Sequence, residues 1–99
     1  DQSSTTLKLF LDVNRPTTTE VEVYYKIDTN EDAMEDNNWV LVSPTENIPF
    51  TDNPEEFNEV EYTVDTGNAF TVFAIKIVML TQNTSRVPTV RDLRAIALA

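Results

Sequence analysis

Apolar and polar residues alternate with a period of two along most of this chain, and that leaves little room for a fold not built of strands. In Thr6-Leu7-Lys8-Leu9-Phe10-Leu11-Asp12-Val13, Leu7, Leu9, Leu11 and Val13 share one face, while Lys8 and Asp12 take the other. The run stops at Asn14-Arg15-Pro16, because proline removes a ladder donor and asparagine tolerates turn geometry. Polar Thr17-Thr18-Thr19 leads into Glu20-Val21-Glu22-Val23-Tyr24-Tyr25-Lys26-Ile27. There Val21, Val23, Tyr25 and Ile27 oppose Glu20, Glu22 and Lys26. A loop of about six residues separates the two segments, a length compatible with an antiparallel hairpin.

The pattern then breaks into a polar, acidic loop and resumes in a short strand, Trp39-Val40-Leu41-Val42. Pro44, Pro49 and Pro54 punctuate a stretch that neither a regular helix nor a central strand accommodates. In Glu59-Val60-Glu61-Tyr62-Thr63-Val64-Asp65, Val60, Tyr62 and Val64 face inward. Thr66-Gly67-Asn68 makes the next turn and holds the only glycine. Residues 70–80 read as a central strand. Phe70, Val72, Ala74, Val78 and Leu80 lie on one face, and Phe73, Ile75, Ile77 and Met79 on the other, so both faces call for cover. Lys76 interrupts one face, with a stem long enough to reach an edge. Residues 89–98 read as a last strand, although the spacing of Val90, Leu93 and Ile96 is closer to helical than to alternating. About six strands without a persuasive helix predict an all-β fold, an antiparallel two-sheet β-sandwich with jelly-roll-like topology. A small open barrel is the alternative.

Ninety-nine residues fit one domain with a single modest core. The start, Asp1-Gln2-Ser3-Ser4-Thr5-Thr6, has neither an initiator Met nor the regions of a signal peptide, so residues 1–99 read as one domain cut from a longer polypeptide. The most apolar stretch, residues 69–80, is too short to span a bilayer. The net charge is −10, which disfavours binding to nucleic-acid phosphates and to anionic membrane surfaces. The absence of cysteine and histidine excludes disulfides, thiol chemistry and Cys/His zinc sites.

Charge is segregated along the chain. Residues 28–65 hold twelve Asp or Glu and no Lys or Arg, whereas Lys76, Arg86, Arg91 and Arg94 face only Asp92 in the last quarter. The simpler reading pairs the basic end with acids of the same chain. The functional one docks acidic loops of one copy against the basic end of another. Asp28-Thr29-Asn30-Glu31-Asp32 resembles the start of a calcium loop, but Ala33 stands where an EF-hand needs glycine and Trp39 where it needs the bidentate glutamate. Asx-type turns explain the same residues. With seventeen acids some carboxylate pair always looks plausible, and no nucleophile elbow, phosphate loop or Ser-x-x-Lys spacing occurs, so no catalytic, cofactor-binding or metal-binding residue is assigned. Of the aromatics, Tyr24, Phe10 and Phe50 fall off the inward register or in a loop, where an exposed ring could stack on a sugar. Asn83-Thr84-Ser85 matches a glycosylation acceptor, as chance alone would allow.

Leu11-Asp12-Val13-Asn14-Arg15-Pro16, Val23-Tyr24-Tyr25-Lys26 and Trp39-Val40-Leu41 are followed by Phe73-Ala74-Ile75-Lys76-Ile77-Val78-Met79-Leu80. After that come Asn83-Thr84-Ser85-Arg86-Val87-Pro88 and Arg91-Asp92-Leu93-Arg94-Ala95-Ile96-Ala97-Leu98. Together these segments resemble a β-sandwich module of virion structural proteins of T4-like marine cyanophages, large tail, baseplate or fibre-associated chains. The resemblance covers most of the chain and is strongest over the last thirty residues. It implies a non-catalytic structural role in the virion, with other virion proteins or copies of itself as partners, no cofactor and no site residues to carry over. The alternative is a carbohydrate-binding jelly-roll module recognising host surface glycans, which would need an aromatic platform or polar groove on a sheet face.

Overall fold

The computed structural model describes residues 4–29, 37–45, 47–51, 53, 55–82 and 88–98. Six strands form: β1 (Ser4–Asn14), β2 (Thr19–Asp28), β3 (Val40–Val42), β4 (Asn58–Phe70), β5 (Val72–Thr81) and β6 (Thr89–Leu98). They assemble into two antiparallel three-stranded sheets, β4-β1-β6 and β3-β2-β5, as an all-β sandwich and not as a barrel. First pairs with last and second with second-last, the nesting expected of a jelly roll. β4 departs from that nesting by taking the other edge of β1.

Why two sheets form follows from the two strongest alternations. Leu7, Leu9, Leu11 and Val13 of β1 and Val21 and Val23 of β2 are buried, and they belong to one cluster with Val42, Ile48, Val60, Tyr62 and Phe70. β1 and β2 therefore do not form the expected hairpin. Each is the centre of its own sheet, and they present their apolar faces to a common interior. Pairing them side by side would have left both faces without cover. The crossover between them is held by Arg15, whose Nε donates to the Thr19 carbonyl at 2.9 Å and whose Nη1 donates to that of Ile48, also at 2.9 Å. Thr18 turns the chain at φ 74°. The proline-punctuated segment is anchored on the same corner: Asn14 Nδ2 donates to the carbonyls of Asn53 and Glu56, the Arg15 amide donates to the Thr51 hydroxyl, and the Thr51 amide donates to the Arg15 carbonyl.

Three further expectations are corrected. Thr66-Gly67-Asn68 is not a turn between strands but a bulge inside β4. Ser4 pairs with Phe70 and Thr6 with Asp65, so four residues of β4 stand against Thr5 alone. Gly67 at φ 73° makes that detour possible, and the Thr66 hydroxyl donates to the Thr5 carbonyl. The run read as one central strand is divided at Thr71. Phe70 ends β4 and is buried, whereas β5 is an edge strand paired only with β2. Finally, the near-helical spacing of β6 records a second bulge. Phe10 pairs with Arg94 and Asp12 with Arg91, so Asp92 and Leu93 together oppose Leu11, with Asp92 at φ 55°. That extra residue shifts the alternation by one, turning Val90 inward and Ile96 and Leu98 outward.

Candidate functional site

Each outer face of the sandwich carries basic side chains laid over aromatic rings. Of the six basic residues described, five lie over a ring: Arg15 over Phe50 at 4.4 Å, Lys26 over Trp39 at 4.6 Å, Lys76 over Tyr24 and Trp39, Arg91 over Phe57 at 3.7 Å and Arg94 over Phe10 at 5.2 Å. Tyr24 and Phe10, expected to lie off the inward register, do point outward and are half-buried beneath these cations, while Phe50 is exposed. Trp39, which core packing would claim by default, lies outside the core cluster.

On the β4-β1-β6 sheet the two arginines of β6 are neutralised within the chain. Arg94 meets Glu59 at 2.6 Å, and Arg91 lies 3.7 Å from Asp12 and 3.8 Å from Asp92. The register brings this about, since Asp12 pairs with both Arg91 and Glu59 and Phe10 pairs with Arg94. Arg91 and Arg94 are thus paired with acids of the same molecule, as the simpler reading of the charge pattern has it, whereas Lys76 meets no carboxylate among the described residues and Arg86 lies outside them.

The β3-β2-β5 sheet differs. Its outer row includes Lys26 and Tyr24 of β2, Lys76 and Ala74 of β5 and Leu41 of β3, with Trp39 immediately before β3. Both ammonium groups lie within 5.0 Å of the centroid of the Trp39 ring, and Lys76 is 4.8 Å from that of Tyr24. Among the described residues neither lysine meets a carboxylate. The Tyr24 hydroxyl donates to Glu22 at 3.0 Å, and that carboxylate holds the phenol above its usual range. The sequence reading missed this cluster, although the outward parity shared by Tyr24, Lys26 and Lys76 was a signal for it.

Concavities are shallow and open. One of about 540 Å³ runs from Lys26 and Asp28 past Asn37 and Asn38 to Thr66 and Asn68 at one end of the sandwich. A second, of about 450 Å³, is lined by Thr45, Asn47 and Glu59 among others, and a third, of about 420 Å³, by Arg15, Glu20 and Gln82 among others. No group of three or more acids among the described residues is placed to hold a metal ion, and no helix there is long and apolar enough to cross a membrane. Of the calcium-like run only Asp28 and Thr29 are described, and Asp28 accepts from the Thr29 backbone and from Asn37. Glu31 and Asp32 lie outside the described residues, as do Arg86 and Asn83-Thr84-Ser85.

The remaining surface feature is apolar. β5 and β6 are edge strands of ten residues each, and no residue of either is fully buried. Phe73, Met79 and Leu80 on β5, and Leu93, Ile96 and Leu98 on β6, are all exposed. The register puts Phe73, Ile75, Ile77 and Met79 on the face shared with the core strand β2; Ile75 and Ile77 pack against the core, while Phe73 meets it only by an edge contact with Phe70 and stays exposed, as does Met79.

No protein-family profile, curated protein or solved structure matches this chain.

Proposed function

We propose that this chain is a non-catalytic structural and interaction module of a tailed-phage virion protein, in a tail, baseplate or fibre-associated chain. The sequence resemblance supports the virion setting. The observation that carries the interaction role is the pair of uncovered apolar edges, β5 and β6. A free edge presents unpaired N–H and C=O groups, and native proteins blunt such edges with charge, proline or cover. Along β5 only Lys76 serves that purpose; on β6 Arg91, Asp92 with its bulge and Arg94 do so over the first half, and Ala95-Ile96-Ala97-Leu98 is left without it. Apolar side chains on both faces of these strands suit a neighbour that adds a strand or packs a flat surface across them. The test is a cryo-electron microscopy map of the assembled virion at side-chain resolution. The expected result is β5 or β6 covered by a neighbouring domain or chain. Both edges in open solvent would refute the interaction role.

A second reading, binding of host surface glycans, is favoured by one observation: the Trp39 and Tyr24 rings on the outer face of the β3-β2-β5 sheet. Rings on a sheet face suit stacking against the C–H face of a pyranose.

A further inference from the structure

We infer that the outer face of the β3-β2-β5 sheet binds an anionic saccharide, a sugar bearing a ring carboxylate, with Lys26 and Lys76 pairing the acid and Trp39 with Tyr24 supporting the ring. This rests on the glycan reading and adds to it the charge class and the residues.

The argument starts from charge. The protein carries ten net negative charges, and its β6 arginines are already bonded to Glu59 and Asp12. Lys26 and Lys76 are different: their ammonium groups converge on one indole and meet no carboxylate among the described residues. Two cations held against one ring repel one another, and an anion that approaches both relieves that repulsion. Lysine is suited to this, because its three donors rotate on a flexible stem and leave a ring face free when they turn toward an acid.

Aromatic support comes from the same residues. The Lys76 ammonium lies 5.0 Å from the Trp39 centroid and 4.8 Å from that of Tyr24, so turning it onto a ligand exposes ring surface next to the charge. The groove that begins at Lys26 continues past Asn37, Asn38, Thr66 and Asn68. The side-chain amides of Asn38 and Asn68 match sugar hydroxyls, whereas the donors of Asn37 and Thr66 are engaged within the chain and leave only their oxygens as acceptors. Asp28 also lines that groove, but its oxygens accept from Thr29 and Asn37. Glu20 lies at the opposite end of the β2 row from Lys26 and Glu22 is engaged by the Tyr24 hydroxyl between them, so the face is polarised along β2 and orients an acidic sugar with its carboxylate toward the lysines.

Trp39 is the only tryptophan in the chain, so intrinsic fluorescence reports on this face alone. The experiment titrates the protein with trigalacturonate and with sialyllactose, using lactose as the neutral control and hexaglutamate as an acidic peptide. Amide chemical shifts locate any response. The expected result is a saturable change in Trp39 emission with at least one acidic sugar and none with lactose or hexaglutamate, with shifts confined to residues 24–26, 37–41, 66–68 and 74–76. Lys26→Gln and Lys76→Gln, checked for folding by circular dichroism, each weaken binding roughly tenfold, as expected for loss of a charged hydrogen bond. An equal response to lactose overturns the anionic assignment while leaving the glycan reading standing. A response to no sugar overturns both. A response to hexaglutamate matching that to the sugars makes the face an acidic-peptide site and also overturns the proposal.

Discussion

Tyr62 is 1% exposed at the centre of the core, and among the described residues its hydroxyl has no hydrogen-bond partner. Burial pushes that phenol up to about 12 from 10.0, with Arg15 offsetting part of the rise. A folded-state pKa above the unfolded one means the neutral phenol's contribution is complete below pH 10. It is lost as pH climbs toward 12. Tyr62→Phe removes both the orphan group and this titration. The variant should match the parent in stability at pH 7 or exceed it by up to about 1 kcal/mol. It should also lose less stability between pH 10 and 12 in urea melts, and a loss above about 2 kcal/mol at pH 7 would show that the hydroxyl does have a partner. At this scale the sequence was readable wherever side-chain parity alone decides: Leu7, Leu9, Leu11, Val13, Val60 and Tyr62 are inside as expected. It was not readable for Trp39, because a ring next to a three-residue edge strand has no periodic neighbours to fix its side. What draws Trp39 outward is Lys26 and Lys76, the latter 37 positions further along the chain.

Among the elements, β6 shows how one residue conceals a strand. The bulge at Asp92 and Leu93 moves the apolar positions out of alternation, and only the pairing with β1 reveals it. Asp92 sits in the left-handed region at φ 55°, which aspartate tolerates better than a β-branched residue does. Asp92→Gly is expected to leave stability within about 1 kcal/mol of the parent, and Asp92→Val to cost about 1–2 kcal/mol more, both by thermal or urea unfolding. Equal stability of the two would mean that the bulge relocates. The expected hairpin of β1 and β2 failed for a related reason. Loop length permits a hairpin but does not require one, and only the need to cover two fully apolar faces decides that the chain crosses the sandwich. β5 was mistaken for a central strand because apolar residues on both faces signal cover without saying whether it comes from the same chain.

For the whole molecule, alternation gave the class, the strand count and the two-layer core. Sheet order lay beyond it, since β1 could have paired with any strand of matching period. Function stands further from the pattern still, because both edges and both outer faces are defined by what the six strands leave uncovered. The central claim is that β5 and β6 are docking edges. Amide hydrogen exchange on the isolated chain and on the assembled virion protein measures this most directly. In the isolated chain the outward amides of β5 and β6 should exchange fast while those of β1 and β2 are protected. On assembly the amides of at least one edge should become slow. Edges that exchange equally fast in both states would contradict the account.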